Sequence, residues 1–245
     1  WIMGLAAVIV GSIVYGLLIM ITGSAGDALT REVYPKSIGL FKGSIKQIIF
    51  SREFSVNSFL GYFLAFAFLG YVSVFYFIAS KYLHVWTLAE GPMSEIFNSY
   101  FPFLFPLLIG FTAAVSEEFM FRFFAIPFLK KYLRYTFLAL LIPAIIWAFG
   151  HSNYPVYPVY VRGIELTLAG LAFGWVFIRF GLWPCLVAHY VIDAVLVSMP
   201  LLKSSNKYYI VSGTIIILLA LIPAIVALLG IGKTKMSEQD KTVPI

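Results

Sequence analysis

The sequence predicts an all-α polytopic membrane protein: a bundle of seven transmembrane helices around a central hydrophilic cavity, or eight if the third span divides near Glu117. Three observations predict it. The chain is 61% apolar and 11% charged, with a mean hydropathy of +0.95, whereas soluble domains are roughly 45–50% apolar and about 25% charged. Its apolar residues gather into stretches near or above ~20 residues, the length that crosses a bilayer core. Six ionisable residues stand inside those stretches, where charge is costly. A soluble enzyme, a disordered chain and a disulfide scaffold are excluded, the last because Cys185 is the single cysteine.

The first span runs from about Ile2 to Ile21, with Gly4, Gly11 and Gly16 permitting close helix contact. It lacks a basic leader, so it is expected to be a retained anchor and not a cleavable signal. A polar segment follows from Ser24 to Asn57. Within it Ile38, Phe41, Ile45, Ile48 and Ile49 recur at helical spacing opposite Lys42 and Lys46, a pattern that suits either a helix in the headgroup region or an ordinary cytosolic loop. The second span covers about Phe59 to Ala79, and the third about Phe97 to Leu129. Spans at about Tyr135–His151, Gly163–Phe180, Cys185–Pro200 and Tyr208–Ile231 complete the count.

Basic residues set the orientation. With seven spans, twelve of the 17 Lys and Arg fall on one side and four on the other, which puts the amino terminus outside and the carboxyl terminus in the cytosol. The net charge of +6 therefore reads as topology plus contact with anionic lipid, not as nucleic-acid binding. His84 shares a loop with Lys81 and Glu90 and is assigned no role, and Cys185 is a packing residue.

The intramembrane residues are more informative. Glu118 and Arg122 are four apart on one helix face and can pair. Glu117 is turned about 100° away and has no such partner, which makes it the free carboxylate. His189 and Asp193 share a face of a later helix, whose start is marked by Gly181-Leu182-Trp183-Pro184. His151 closes its own span, Tyr135–His151. A lone Glu–Arg pair is more often a packing device, and a lone His at a helix end an interfacial residue. Gathered in one apolar stretch, these groups are expected to face one another or an aqueous cavity. One tension follows: straight full-length helices would hold His151 near the outer end of its span and His189 near the inner end of its own.

Glu117-Glu118-x-x-x-Arg122, Trp147-x-x-x-His151 and His189-x-x-x-Asp193, in that order, resemble the CAAX-processing and bacteriocin-processing membrane peptidases, the abortive-infection family that includes the type II CAAX prenyl endopeptidase. The family pattern is E-E-x-x-x-R, F-x-x-x-H and H-x-x-x-N or D. Trp147 here replaces Phe, and Asp193 stands where the prenyl endopeptidases have Asn. An Asn amide donates to an oxyanion, whereas an ionised Asp only accepts, so Asp193 is either protonated or orients His189 by accepting its ring proton, the reading we favour.

The spans predict a single transmembrane domain over residues 1–232, with a polar tail at 233–245, and the resemblance, carried by about Phe105 to Leu196, places a catalytic core at about 97–200. It implies a glutamate-type intramembrane endopeptidase. Glu117 with His151 activates water, His189 with Asp193 faces the carbonyl oxygen, and Glu118 and Arg122 support them. No cofactor is expected. The alternative is a zinc peptidase using Glu117, His151 and His189 as ligands, although no H-E-x-x-H is present. The expected partners are membrane lipid and a peptide or protein substrate, with a prenylated C-terminal CAAX sequence as one precedent. A proton-coupled transporter and a non-catalytic scaffold are the competing classes, and no paired inverted repeat supports the former.

Overall fold

The computed structural model describes residues 2–35, 48–87 and 96–231. Among them are seven helical rods: α1 (Ile2–Val33), α2 (Arg52–Tyr82), α3 (Leu104–Leu133), α4 (Thr136–Phe149), α5 (Val159–Phe180), α6 (Leu182–Leu202) and α7 (Lys207–Gly230). Six are long and apolar enough to cross a membrane, and α4 is a shorter apolar helix of 14 residues. The chain is thus an all-α polytopic membrane protein. The headgroup-helix reading of residues 38–49 falls almost wholly outside the described residues, as does the tail from Lys233.

The first two boundaries differ from expectation. α1 continues twelve residues past Ile21, to Val33. Its added turns are stabilised by an Asp27–Arg31 pair at 2.7 Å and pack against α3, where a Cβ on Gly26 would stand 2.9 Å from the Phe123 carbonyl oxygen. α2 begins at Arg52 because Ser51 caps it, its side chain accepting from the Phe54 N–H at 3.0 Å.

α3 does not divide at Glu117, so the eight-span alternative does not form. Instead, residues Glu118–Ala125 wind as a π-helix between two α-helical pieces. Such turns, bonded i→i+5, occur mostly as short bulges inside α-helices, frequently at functional sites. α7 is interrupted differently. Pro223 cannot donate to the preceding turn, and the Tyr62 hydroxyl of α2 enters the gap, donating to the Ala220 carbonyl at 2.5 Å and accepting from the Ala224 N–H at 3.3 Å.

Small residues bring the other helices close. A Cβ on Gly170 of α5 would meet that of Ala144 in α4 at 2.9 Å, so any larger residue would push the pair apart. α5 ends at Gly181, whose φ of +86° is open to glycine without strain and reverses the chain into α6 within one residue. A two-stranded antiparallel ribbon, β1 (Trp86–Thr87) with β2 (Val156–Tyr157), joins the end of α2 to the loop after α4. Trp86 stacks on Tyr157 across it at 4.7 Å.

Candidate active site

At ~1.5 Å per residue α4 rises about 21 Å, less than a bilayer core of ~30 Å. The chain leaves it in tight turns: Gly150 N–H bonds to Ile146 O, and His151 N–H to Ala148 O at 3.1 Å. The turn bearing His151 therefore begins after a rise shorter than a full crossing, and both histidines come to the same carboxylate, each within 3.8 Å of Glu117 Oε2. His151 Nδ1 lies 2.8 Å from the Trp147 carbonyl. A carbonyl only accepts, so Nδ1 carries a proton and the ring turns Nε2 towards Glu117.

Glu117 Oε2 stands 3.8 Å from His151 Nε2 and 3.7 Å from His189 Nε2. It is not a free carboxylate, because the Trp147 indole N–H donates to the same oxygen. The one-residue offset between Glu117 and Glu118 lets both reach His189, one at each ring nitrogen. Glu118 Oε1 takes Nδ1–H at 2.7 Å and pairs with Arg122 at 3.1 Å. Glu118 and Arg122 are 0% and 2% exposed. The guanidinium carbon of Arg122 lies 4.3 Å from the Trp147 ring centroid and 5.3 Å from that of Phe173.

The six residues singled out from the sequence thus form one cluster, but two relationships differ. The bond that orients His189 comes from Glu118, and Asp193 Oδ2 stands 3.6 Å from His189 Nε2, beyond hydrogen-bond length. Trp147 also does more than fill space, since a Phe there could neither donate to Glu117 nor be missed as a donor.

Glu117, His151, His189 and Asp193 line one cavity of about 120 Å³, closed on other sides by Phe68 and Leu166 among others. That is room for several waters. Arg162 and Tyr154 line it too. Neither Arg162 nor its partner Glu165 is among the residues singled out from the sequence, although the two stand at the i,i+3 spacing that signals a pair.

The donors of the zinc alternative, Glu117, His151 and His189, come near one another but stand wider apart than bound ligands would. With bonds of ~2.0–2.1 Å, tetrahedral ligands stand about 3.3 Å apart, closer than the two Glu117–imidazole separations, and Glu117 Oε2 is already engaged by Trp147. Among the described residues, no three His, Cys, Asp or Glu side chains are arranged to hold a metal ion.

Fold and cavity together define a polytopic membrane protein with a buried acid–imidazole cluster. Residues 99–195, which carry all three motifs, match the family described as Type II CAAX prenyl endopeptidase Rce1-like. The resemblance carried by the motifs therefore holds over that stretch, and the class it indicates is a peptidase. The chain is also 26% identical over 199 residues to the sporulation-killing factor biosynthesis protein SkfC of Bacillus subtilis (strain 168), a match covering 81% of this chain and 38% of that protein. The chain thus spans well under half the length of that relative. No solved structure matches.

Proposed function

We propose that the chain is an intramembrane endopeptidase in which Glu117 activates a water molecule, without a metal, against a peptide bond of a membrane-associated substrate. The observation that carries this reading is the position of Glu117 Oε2, between two imidazole Nε2 atoms at 3.7 and 3.8 Å, in a cavity large enough for water. Both gaps are too long for direct bonds and suit a bridging water or a substrate oxygen.

In this reading a water bound by Glu117 and His151 Nε2 gives its proton to Glu117 as its oxygen adds to the substrate carbonyl carbon. His189, as an imidazolium with Nδ1–H held by Glu118, presents Nε2–H to the developing oxyanion. Collapse of the tetrahedral intermediate breaks the C–N bond, and Glu117 returns its proton to the leaving amine. Trp147 fixes Glu117, Arg122 fixes Glu118, and Asp193 lies beside the oxyanion position. The catalytic core is the 97–200 region, and the basic residues favour a cytosolic carboxyl terminus.

A second cavity supports a lipidated substrate, the prenylated CAAX class being the precedent. Leu64, Ala67, Leu168 and Ala169 line an apolar space of about 260 Å³ between α2 and α5, which shares Phe68 and Phe173 with the catalytic cavity. A chain attached near the scissile bond would have an apolar place beside it. The name of the SkfC relative favours instead an unmodified peptide of the bacteriocin kind. The deciding assay offers the purified protein a farnesylated CAAX peptide and its non-prenylated twin, with Glu117→Gln as control. Cleavage of the farnesylated peptide alone supports the lipidated class, and cleavage of neither by the wild type overturns that substrate assignment.

A further inference from the structure

Arg162 takes no part in the steps above, yet it is one of the most heavily supported cations in the molecule. Its Nη1 donates to Glu165 Oε2 at 2.6 Å, and the Tyr76 hydroxyl donates to the same oxygen at 2.9 Å. The Tyr71 hydroxyl holds the Glu165 main-chain carbonyl at 2.9 Å. The Tyr154 ring centroid lies 5.1 Å from the guanidinium carbon. α2, α5 and the loop that bears His151 thus converge on one charge. Glu165 is 0% exposed.

A buried unsatisfied donor is costly, and the buried Nε of Arg162 has no hydrogen-bond partner among the described residues, which is equally true of Arg122 Nη2 and of Glu165 Oε1. What separates Arg162 from the fully buried Arg122 is access to the cavity. The Arg162 side chain keeps 18% exposure and lines the catalytic cavity. The other ionisable residues of that lining are the acids Glu117 and Asp193 and the imidazoles His151 and His189, which the mechanism above already engages. A further acceptor oxygen entering the cavity is repelled by the acids and drawn to the guanidinium, whose planar donor edge is shaped for such a partner.

We propose that Arg162 is a substrate-binding residue: it donates to an acceptor oxygen of the peptide and so sets the register in which the scissile amide meets Glu117. The proposal rests on the peptidase reading above. The oxygen belongs either to a main-chain carbonyl or to the C-terminal carboxylate, and the two are separated by testing the same peptide as free acid and as amide.

The experiment measures binding, so that turnover is not needed. In a Glu117→Gln background, affinity for the fluorescently labelled farnesylated peptide is determined with Arg162 intact, Arg162→Lys and Arg162→Gln, and the unfolding midpoint of each variant is recorded. Loss of a charged hydrogen bond predicts an affinity about ten- to a hundredfold weaker for Arg162→Gln, with Lys failing to restore it. If the amide binds the intact protein equally well and suffers the same loss, the acceptor is a main-chain carbonyl. If the amide binds weakly throughout and the loss is confined to the acid, it is the carboxylate. Affinities within twofold across folded variants overturn the proposal. Should Arg162→Gln unfold, the double variant Arg162→Met/Glu165→Leu, which leaves no orphaned carboxylate, is judged by the same criterion. Failure of the wild type to cleave any peptide is a separate result and bears on the peptidase reading alone.

Discussion

The Trp147 indole N–H is bonded to the carboxylate of Glu117, thirty residues earlier in the chain and on a different helix. The same ring lies against the Arg122 guanidinium. One side chain therefore holds the proposed base while covering the cation that neutralises its neighbour. Trp147→Phe keeps an aromatic ring, though a smaller one, and removes the donor. It is expected to lower kcat about tenfold or more, with KM little changed, since a hydrogen bond to a charged group contributes about 1.5–3 kcal/mol. Steady-state kinetics on a cleaved peptide checks this, and an unchanged kcat removes Trp147 from the mechanism.

Glu117→Gln is nearly isosteric and keeps an oxygen for Trp147 to bond. Its expected effect is a fall in cleavage of about 10²–10⁴-fold, the usual contribution of a general base, with the unfolding midpoint unmoved. A variant that still cuts at the wild-type rate would exclude Glu117 as the base.

Breaking the buried Glu118–Arg122 pair by Arg122→Leu leaves a carboxylate without its cation and is expected to cost about 3–5 kcal/mol of stability. The double variant Glu118→Leu/Arg122→Leu should regain most of that stability and none of the activity, because His189 then loses the bond at Nδ1. Thermal unfolding in detergent, paired with a cleavage assay, separates the two effects.

Because Glu118 and not Asp193 holds His189, Asp193→Asn should retain cleavage, with its amide able to donate towards the oxyanion. Asp193→Leu should lose about tenfold or more. Equal loss in both variants would point to the negative charge itself as the requirement.

Prolonged treatment with a strong chelator should leave the rate unchanged. Inhibition that zinc reverses and magnesium does not would restore Glu117, His151 and His189 as ligands.

The sequence made the rods legible because each is an apolar stretch of near-spanning length, and the six ionisable residues stood out because hydrocarbon makes them costly. Spacing alone also placed Glu118 against Arg122. What it could not supply was the partner across helices. Glu118 and His189 are 71 residues apart in the chain, and only the packing of α3 on α6 makes one the acceptor for the other. Nothing in the composition of Glu118–Ala125 marks a π-helix, since its residues suit ordinary α-helical turns as well. Arg162 is illegible for a related reason: at a helix start it resembles a loop charge, and only Tyr71, Tyr76 and Tyr154, brought from elsewhere, make it part of the cavity wall.

The wide turns of α3 have an implication for how this chain tolerates changes in length. An i→i+5 stretch accommodates a residue that ordinary winding would leave out. Excising Phe119 or Met120 would let the segment relax into regular helix, in which four steps of ~100° from Glu117 to Arg122 complete about the rotation that five wider steps complete now. Such a shortened chain should keep Arg122 near its present phase to Glu117, with Glu118 and Arg122 brought from four residues apart to three, still a pairing distance. The same excision in a regularly wound span would turn everything beyond it by ~100°, so these eight residues are where α3 can lose a position and keep its register.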